Sequence, residues 1–83
     1  MINKKNLAEI FGWYGTITIL LAYLLVSFNI IGTNGYLYQI LNLTGAIGIV
    51  VISIAKKVNQ STILNVLWAI IALVAIISLL INN

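Results

Sequence analysis

Three long stretches without a single charged side chain decide most of what this chain can become. FGWYGTITILLAYLLVSFNII covers residues 11–31, YLYQILNLTGAIGIVVISIA covers 36–55, and ILNVLWAIIALVAIISLLI covers 63–81. Each approaches the ~20 residues that a helix needs to cross about 30 Å of hydrocarbon. A backbone in lipid must satisfy its own hydrogen bonds, which leaves helices or a closed barrel. The runs are about twice the length of a barrel strand and do not alternate polar with apolar. The expectation is an all-α integral membrane protein, a three-helix bundle forming one membrane domain over residues 1–83.

Composition points the same way. The chain is 63% hydrophobic and 6% charged, against about 25% charged residues in a soluble domain. A chain of 83 residues could not hide that much apolar surface in one aqueous core. Reactive groups are scarce: His, Cys, Asp and Arg are absent, and Glu9 is the sole acid. Metal sites need clusters of His, Cys or carboxylates, and general acid–base catalysis needs a tunable group placed at the reacting bond. No metal, no cofactor and no enzymatic activity are expected. The lysines fall into two isolated pairs, Lys4/Lys5 and Lys56/Lys57, without a basic stripe interleaved with exposed aromatics. Nucleic acid is therefore not an expected partner; the lipid bilayer is.

The connections are short, so neighbouring helices should run antiparallel. Gly32, Asn34 and Gly35 tolerate positive φ and are expected to stop the first helix. Ser61 or Thr62 is expected to N-cap the third. With three spans, the N-terminus and the second connection share one side of the membrane. Every lysine lies on that side, and Lys is enriched in cytoplasmic segments near span ends. The N-terminus is expected inside and the C-terminus outside. The first run exceeds the about 7–15 apolar residues of a signal peptide and no A-x-A site follows it, so it reads as an uncleaved span. Asn59-Gln60-Ser61 matches a glycosylation sequon, but it falls on the cytoplasmic side and reads as chance.

Helices in lipid associate through close packing at small residues and through interhelical hydrogen bonds. Small residues recur in every span: Gly12 and Gly15 in the first, Gly45 and Gly48 in the second, Ala69 and Ala72 in the third. Polar groups also fall at helical spacing. Gln39, Asn42, Ala46 and Ser53 line one side of the second helix. At about 1.5 Å per residue, Asn42 lies some ~9 Å below the outer end and Tyr23 ~12 Å below it. Ser27 and Gln39 are nearly level. An outer cluster of Tyr23, Ser27, Gln39 and Asn42 is geometrically reasonable, and Asn65 and Trp68 begin the third span near the level of Ser53 and Thr16. These groups can serve as interhelical bridges or as the lining of a substrate path. Neutral amides and hydroxyls favour bridging, since intramembrane function more typically announces itself through ionisable groups. Phe11, Trp13, Tyr14, Tyr36 and Tyr38 suit interfacial belts.

The motifs G-x-x-G (Gly12, Gly15), A-Y-x-L-x-S (Ala22–Ser27), Y-Q-x-L-N-x-x-G-A (Tyr38–Ala46) and L-N-x-x-W-x-x-I (Leu64–Ile71) together resemble a family of small uncharacterised bacterial three-span membrane proteins, sometimes given a permease label. Tyr23, Ser27, Gln39, Asn42, Asn65 and Trp68 all fall within those motifs. The resemblance implies a bacterial inner membrane and brings no defined solute or catalytic residue. The Pro-Gln motif of three-helix half-sugar-transporters is absent, as is the membrane-embedded glutamate of small multidrug exporters.

The expected function is a small permease-like protein for a neutral or weakly polar solute, acting as an oligomer. The alternative is a non-transporting accessory subunit packed against a larger membrane protein. A parallel homodimer is expected. Three helices of about 10 Å diameter leave little room to enclose a path, symmetric dimers are the commonest oligomers, and one-sided lysines disfavour dual insertion.

Overall fold

The computed structural model describes residues 3–82, in three helices: α1 (Lys4–Ser27), α2 (Tyr36–Ala55) and α3 (Asn59–Ile81). No strand occurs among the described residues. The helices contain 24, 20 and 23 residues, and each is long and apolar enough to cross a membrane. The molecule extends 42 Å along its longest axis, close to the about 40–45 Å of a bilayer with its headgroups.

The helix ends differ from the sequence expectation in instructive ways. α1 starts at Lys4, ahead of the apolar run, because the Asn3 side chain caps it by accepting the Asn6 N–H at 2.8 Å. It ends at Ser27 through Asn29, which takes a left-handed φ of 60°. The Ile30 N–H then reaches back to the Leu25 carbonyl at 2.9 Å and the Asn29 N–H to Val26 at 3.1 Å, a Schellman closure. No glycine among the described residues has positive φ, and Gly35 instead stands extended as the N-cap of α2. Lys57 closes α2 in the same way at φ 59°, with Val58 N–H on Ser53 O at 2.9 Å and Lys57 N–H on Ile54 O at 3.1 Å. α3 starts before the expected caps. Val58 is its N-cap without a side-chain bond, and the Thr62 hydroxyl donates to the Val58 carbonyl at 2.9 Å.

α2 is the central helix. It packs against both α1 and α3, whereas α1 and α3 make no contact with each other among the described residues. The interior is inverted relative to a soluble protein. Ala8, Gly12, Gly15, Thr18 and Ala22 are the buried positions of α1; Asn42, Gly45, Ala46, Gly48 and Ser53 those of α2; Asn65 and Ala72 those of α3. No large side chain is fully buried among the described residues, while Leu20, Ile71 and Ile81 are 65%, 67% and 75% exposed. In water, continuous apolar exposure on that scale would drive aggregation. In lipid it is the solvent-matched surface, and the fold is that of a membrane protein.

The α1–α2 seam is a backbone contact. A Cβ at Gly48 would run into the Phe11 carbonyl and the Gly15 backbone, and one at Gly15 into the Gly45 carbonyl and the Ile49 N–H. A Cβ at Gly12 would sit 2.7 Å from the Ile52 side chain, and one at Gly45 would sit 2.7 Å from that of Ile19. Only glycine fits such an approach, which maximises dispersion contact where lipid offers no hydrophobic drive.

Candidate functional site

An adjoining face of α2, turned toward α3, carries Gln39, Asn42 and Ser53. The Asn42 amide is 5% exposed. Its Nδ2 donates to the Tyr38 carbonyl one turn back at 3.0 Å, which turns Oδ1 outward toward α3. There it accepts the Trp68 indole N–H at 3.1 Å. Both polar ends of one amide are thus satisfied, one within its own helix and one across the interface.

Toward the lysine end, Ser53 and Ser61 face each other at 2.7 Å between their hydroxyl oxygens. Asn65 repeats the device seen at Asn42, donating to the Ser61 carbonyl at 2.9 Å and lying within 3.5 Å of the Ser61 hydroxyl. Ser61 is therefore an interhelical link where sequence reasoning makes it a candidate cap. No buried side-chain nitrogen or oxygen lacks a partner among the described residues.

Between these links and the outer surface the α2–α3 interface stays open. A cleft of about 160 Å³ is lined by Tyr38, Gln39, Asn42, Trp68, Ile71 and Ala72. Gln39 also lines a second cleft of about 340 Å³ formed by Thr33, Asn34, Ala75, Ser78, Leu79 and Asn82 at the end of the α1–α2 loop. The Gln39 amide donates to the Thr33 carbonyl at 3.3 Å, which ties the start of α2 to the α1–α2 loop. Neither cleft is lined by a charged residue. The arrangement can hold small neutral molecules with hydrogen-bonding groups; it has nothing to hold an ion by charge.

Of the sequence-derived site residues, the structure brings together Gln39, Asn42 and Trp68 around the inner cleft, with Asn65 one level further in on α3. Tyr23 and Ser27 lie elsewhere. Tyr23 is 70% exposed, Ser27 is also exposed, and neither hydroxyl hydrogen-bonds another described residue. Both are on the outward side of α1, away from the Gly12–Gly15–Ala22 face that meets α2. Gly12, Gly15, Gly45 and Gly48 form the α1–α2 seam; Ala72 lines the inner cleft, and Ala69 is half-buried on α3.

Thr33, Asn34, Ser78 and Asn82, which gather at the α1–α2 loop end of the helices, are not marked as a site by any sequence pattern. Sequence reasoning missed the Tyr14 hydroxyl, which donates to Thr44 Oγ1 at 2.9 Å. Thr44 in turn donates to the Ile40 carbonyl at 2.9 Å. A hydroxyl-bearing Thr in the middle of a span was the available signal.

Three helices long and apolar enough to cross a membrane, with uncharged clefts between α2 and α3, give the chain the build of a small α-helical membrane protein. A family model matches residues 8–83, and the chain belongs to that uncharacterised bacterial-type family. No curated protein and no solved structure matches the chain.

Proposed function

We propose that the protein is a small permease-like component of a bacterial inner membrane, working as an oligomer and admitting a neutral or weakly polar solute to the α2–α3 cleft. The observation that carries the reading is the uncharged polar lining that runs from Thr33, Asn34, Ser78 and Asn82 through Gln39 to the Asn42–Trp68 pair. Transmembrane polar groups aligned toward one opening offer a solute successive hydrogen bonds in place of water. The chain acts by binding and passage, not by catalysis. Osmotic swelling of proteoliposomes tests it with urea and glycerol as neutral probes. Asn42→Leu should abolish solute entry while the protein still assembles; swelling no faster than that of empty vesicles would end the permease reading.

The oligomer in this reading is a parallel dimer with the N-termini inside and the C-termini outside. The one-sided lysines support the orientation. The absence of α1–α3 contact among the described residues supports the need for a further helix. Native mass spectrometry in mild detergent should give a species of twice the monomer mass. In cells, Thr33→Cys should label only from outside and Gln60→Cys only from inside.

The same open arrangement favours a second reading, in which the missing helix belongs to a larger membrane protein and this chain is its accessory subunit. Stoichiometric co-purification with one such protein, together with no solute entry in vesicles, would select it.

A further inference from the structure

The lysine end of the α1–α2 pair carries a feature that solute passage through the α2–α3 cleft does not use. A cleft of about 430 Å³ is lined by Lys4, Lys5, Glu9, Ile52, Ala55 and Lys56. A second, of about 200 Å³, is lined by Glu9, Gly12, Trp13, Thr16, Ile52 and Lys56. Glu9, Ile52 and Lys56 belong to both, so the two adjoin along the same wall. Lys5, Glu9, Gly12 and Thr16 follow one another at four, three and four residues along α1, which places them on one helix face. The charged mouth therefore leads directly into an apolar groove along the seam.

Charge bookkeeping leaves the mouth positive. Glu9 is neutralised by Lys56, whose Nζ lies 2.8 Å from its carboxylate. Lys56 and Lys57 have a local rationale, because they sit at the C-terminus of α2, where the helix dipole favours cations. Lys4 and Lys5 have the opposite situation. They occupy the first turn of α1, which contains no acidic residue, and there the dipole favours anions. Two cations line this cleft at a helix start whose Asn6 N–H is already capped by Asn3, and the one carboxylate there, Glu9, is taken by Lys56. The groove behind them is apolar at Ile52 and Gly12, and Trp13 borders it at 63% exposure.

We propose that this is a binding site for one anionic phospholipid in the leaflet on the lysine side. The headgroup phosphate sits between Lys4, Lys5 and the start of α1, and one acyl chain runs along the Gly12–Trp13–Thr16–Ile52 groove. The occupant is a lipid because the charged cleft opens at the headgroup level, just beyond the first apolar run, and continues into the hydrocarbon. A free anion would use the mouth and leave the groove empty.

Tryptophan quenching tests the site in the full chain, reconstituted in phosphatidylcholine vesicles that contain acyl-brominated phosphatidylglycerol in both leaflets, so that insertion direction does not enter. Trp13 should be quenched more strongly by brominated phosphatidylglycerol than by brominated phosphatidylcholine at equal mole fraction. The excess should vanish in Trp13→Phe, which leaves Trp68 in place. Each lysine near an anionic surface contributes about five-fold in affinity, so Lys4→Gln/Lys5→Gln together should lower the preference by an order of magnitude or more. Lys57→Gln, at a residue that lines neither cleft, should leave it unchanged. Equal quenching by the two lipids would overturn the proposal. So would a loss in Lys57→Gln as large as that in the single Lys4 or Lys5 variants, because that result describes diffuse surface attraction.

Discussion

On one side of α2, Gly45 and Gly48 admit the backbone of α1 until carbonyls and Cα atoms touch. On the other side, α3 is held by an indole on an amide and by two facing hydroxyls, with clefts left between them. The same helix thus uses both means by which helices associate in lipid. The first depends on the absence of atoms and has no slack: every Å of approach is set by backbone. The second depends on a few directional bonds, each contributing about 0.6 kcal/mol on average and at most about 1.7. A seam of the first kind makes a rigid hairpin of α1 and α2. A seam of the second kind leaves clefts between its bonds, and in the proposed permease reading it opens by exchanging those bonds for ones to a solute.

The largest expected effect comes from adding one methyl group to the glycine seam. In Gly15→Ala the new Cβ meets the Gly45 carbonyl oxygen, and in Gly48→Ala it meets that of Phe11. Backbone cannot rotate away, so the helices must separate. Either variant should lose about 3 kcal/mol, the upper end of the range for overpacking, measured as the unfolding midpoint in a denaturing-detergent titration. Gly35→Ala has nothing within 4 Å of the added Cβ and should stay within about 0.5 kcal/mol of the parent. Equal stability of Gly15→Ala and Gly35→Ala would erase the distinction between the two faces of α2.

Next comes Asn42. Asn42→Leu keeps the bulk but removes the acceptor of the Trp68 N–H, and should cost about 0.6–1.7 kcal/mol. Trp68→Phe removes the donor, so the double variant should lose less than the sum of the two single ones. Additive losses would show that the indole and the amide do not interact.

How much of this the chain's letters reveal depends on what each kind of information fixes. Three uncharged runs of spanning length lead to three helices because lipid leaves the backbone few alternatives. Gly12, Gly15, Gly45 and Gly48 stand out as small residues at helical spacing, and Asn42 and Trp68 as polar groups in apolar surroundings. Which of them meet is another matter. Depth follows from position along a helix, so Tyr23 and Asn42 look like neighbours; azimuth does not, and Tyr23 points away from α2 while Trp68 arrives from α3. All three spans carry small residues, so the pattern alone does not say that α1 and α3 stay apart. The helix ends were hidden for a local reason. Asn29 and Lys57 adopt the left-handed conformation that glycine usually supplies, and in the KKVNQST connection Ser61 turns toward Ser53 instead of capping its own helix.

The Ser53–Ser61 link predicts a smaller loss than Asn42. Ser53→Ala should cost about 0.6 kcal/mol, the mean for an interhelical bond in lipid. Ser61→Ala should cost a similar amount, and a double-mutant cycle should return most of it as coupling. In the proposed permease reading solute entry in vesicles should be unaffected, since neither serine lines either α2–α3 cleft. Loss of entry in Ser53→Ala would extend the path past Asn42 toward the lysine end and enlarge the polar face of α2.

The smallest effect is expected where the glycine seam itself carries a polar bond. The Tyr14 hydroxyl donates to Thr44 across α1–α2 at 2.9 Å, so a hydrogen bond is not exclusive to the α3 side. Its setting is different, however. Tyr14 is 49% exposed, whereas the Asn42 amide that accepts the Trp68 N–H is only 5% exposed. Thr44 keeps its own bond to the Ile40 carbonyl at 2.9 Å whether or not Tyr14 is present. Tyr14→Phe therefore strands no buried donor or acceptor, and the glycine contact beneath continues to hold the helices together. The loss should be below about 0.5 kcal/mol, less than the average interhelical bond, in the same detergent titration. A loss equal to that of Asn42→Leu would mean that α1 and α2 depend on directional bonding as much as α2 and α3 do, and the contrast between the two faces would then rest on the glycines alone.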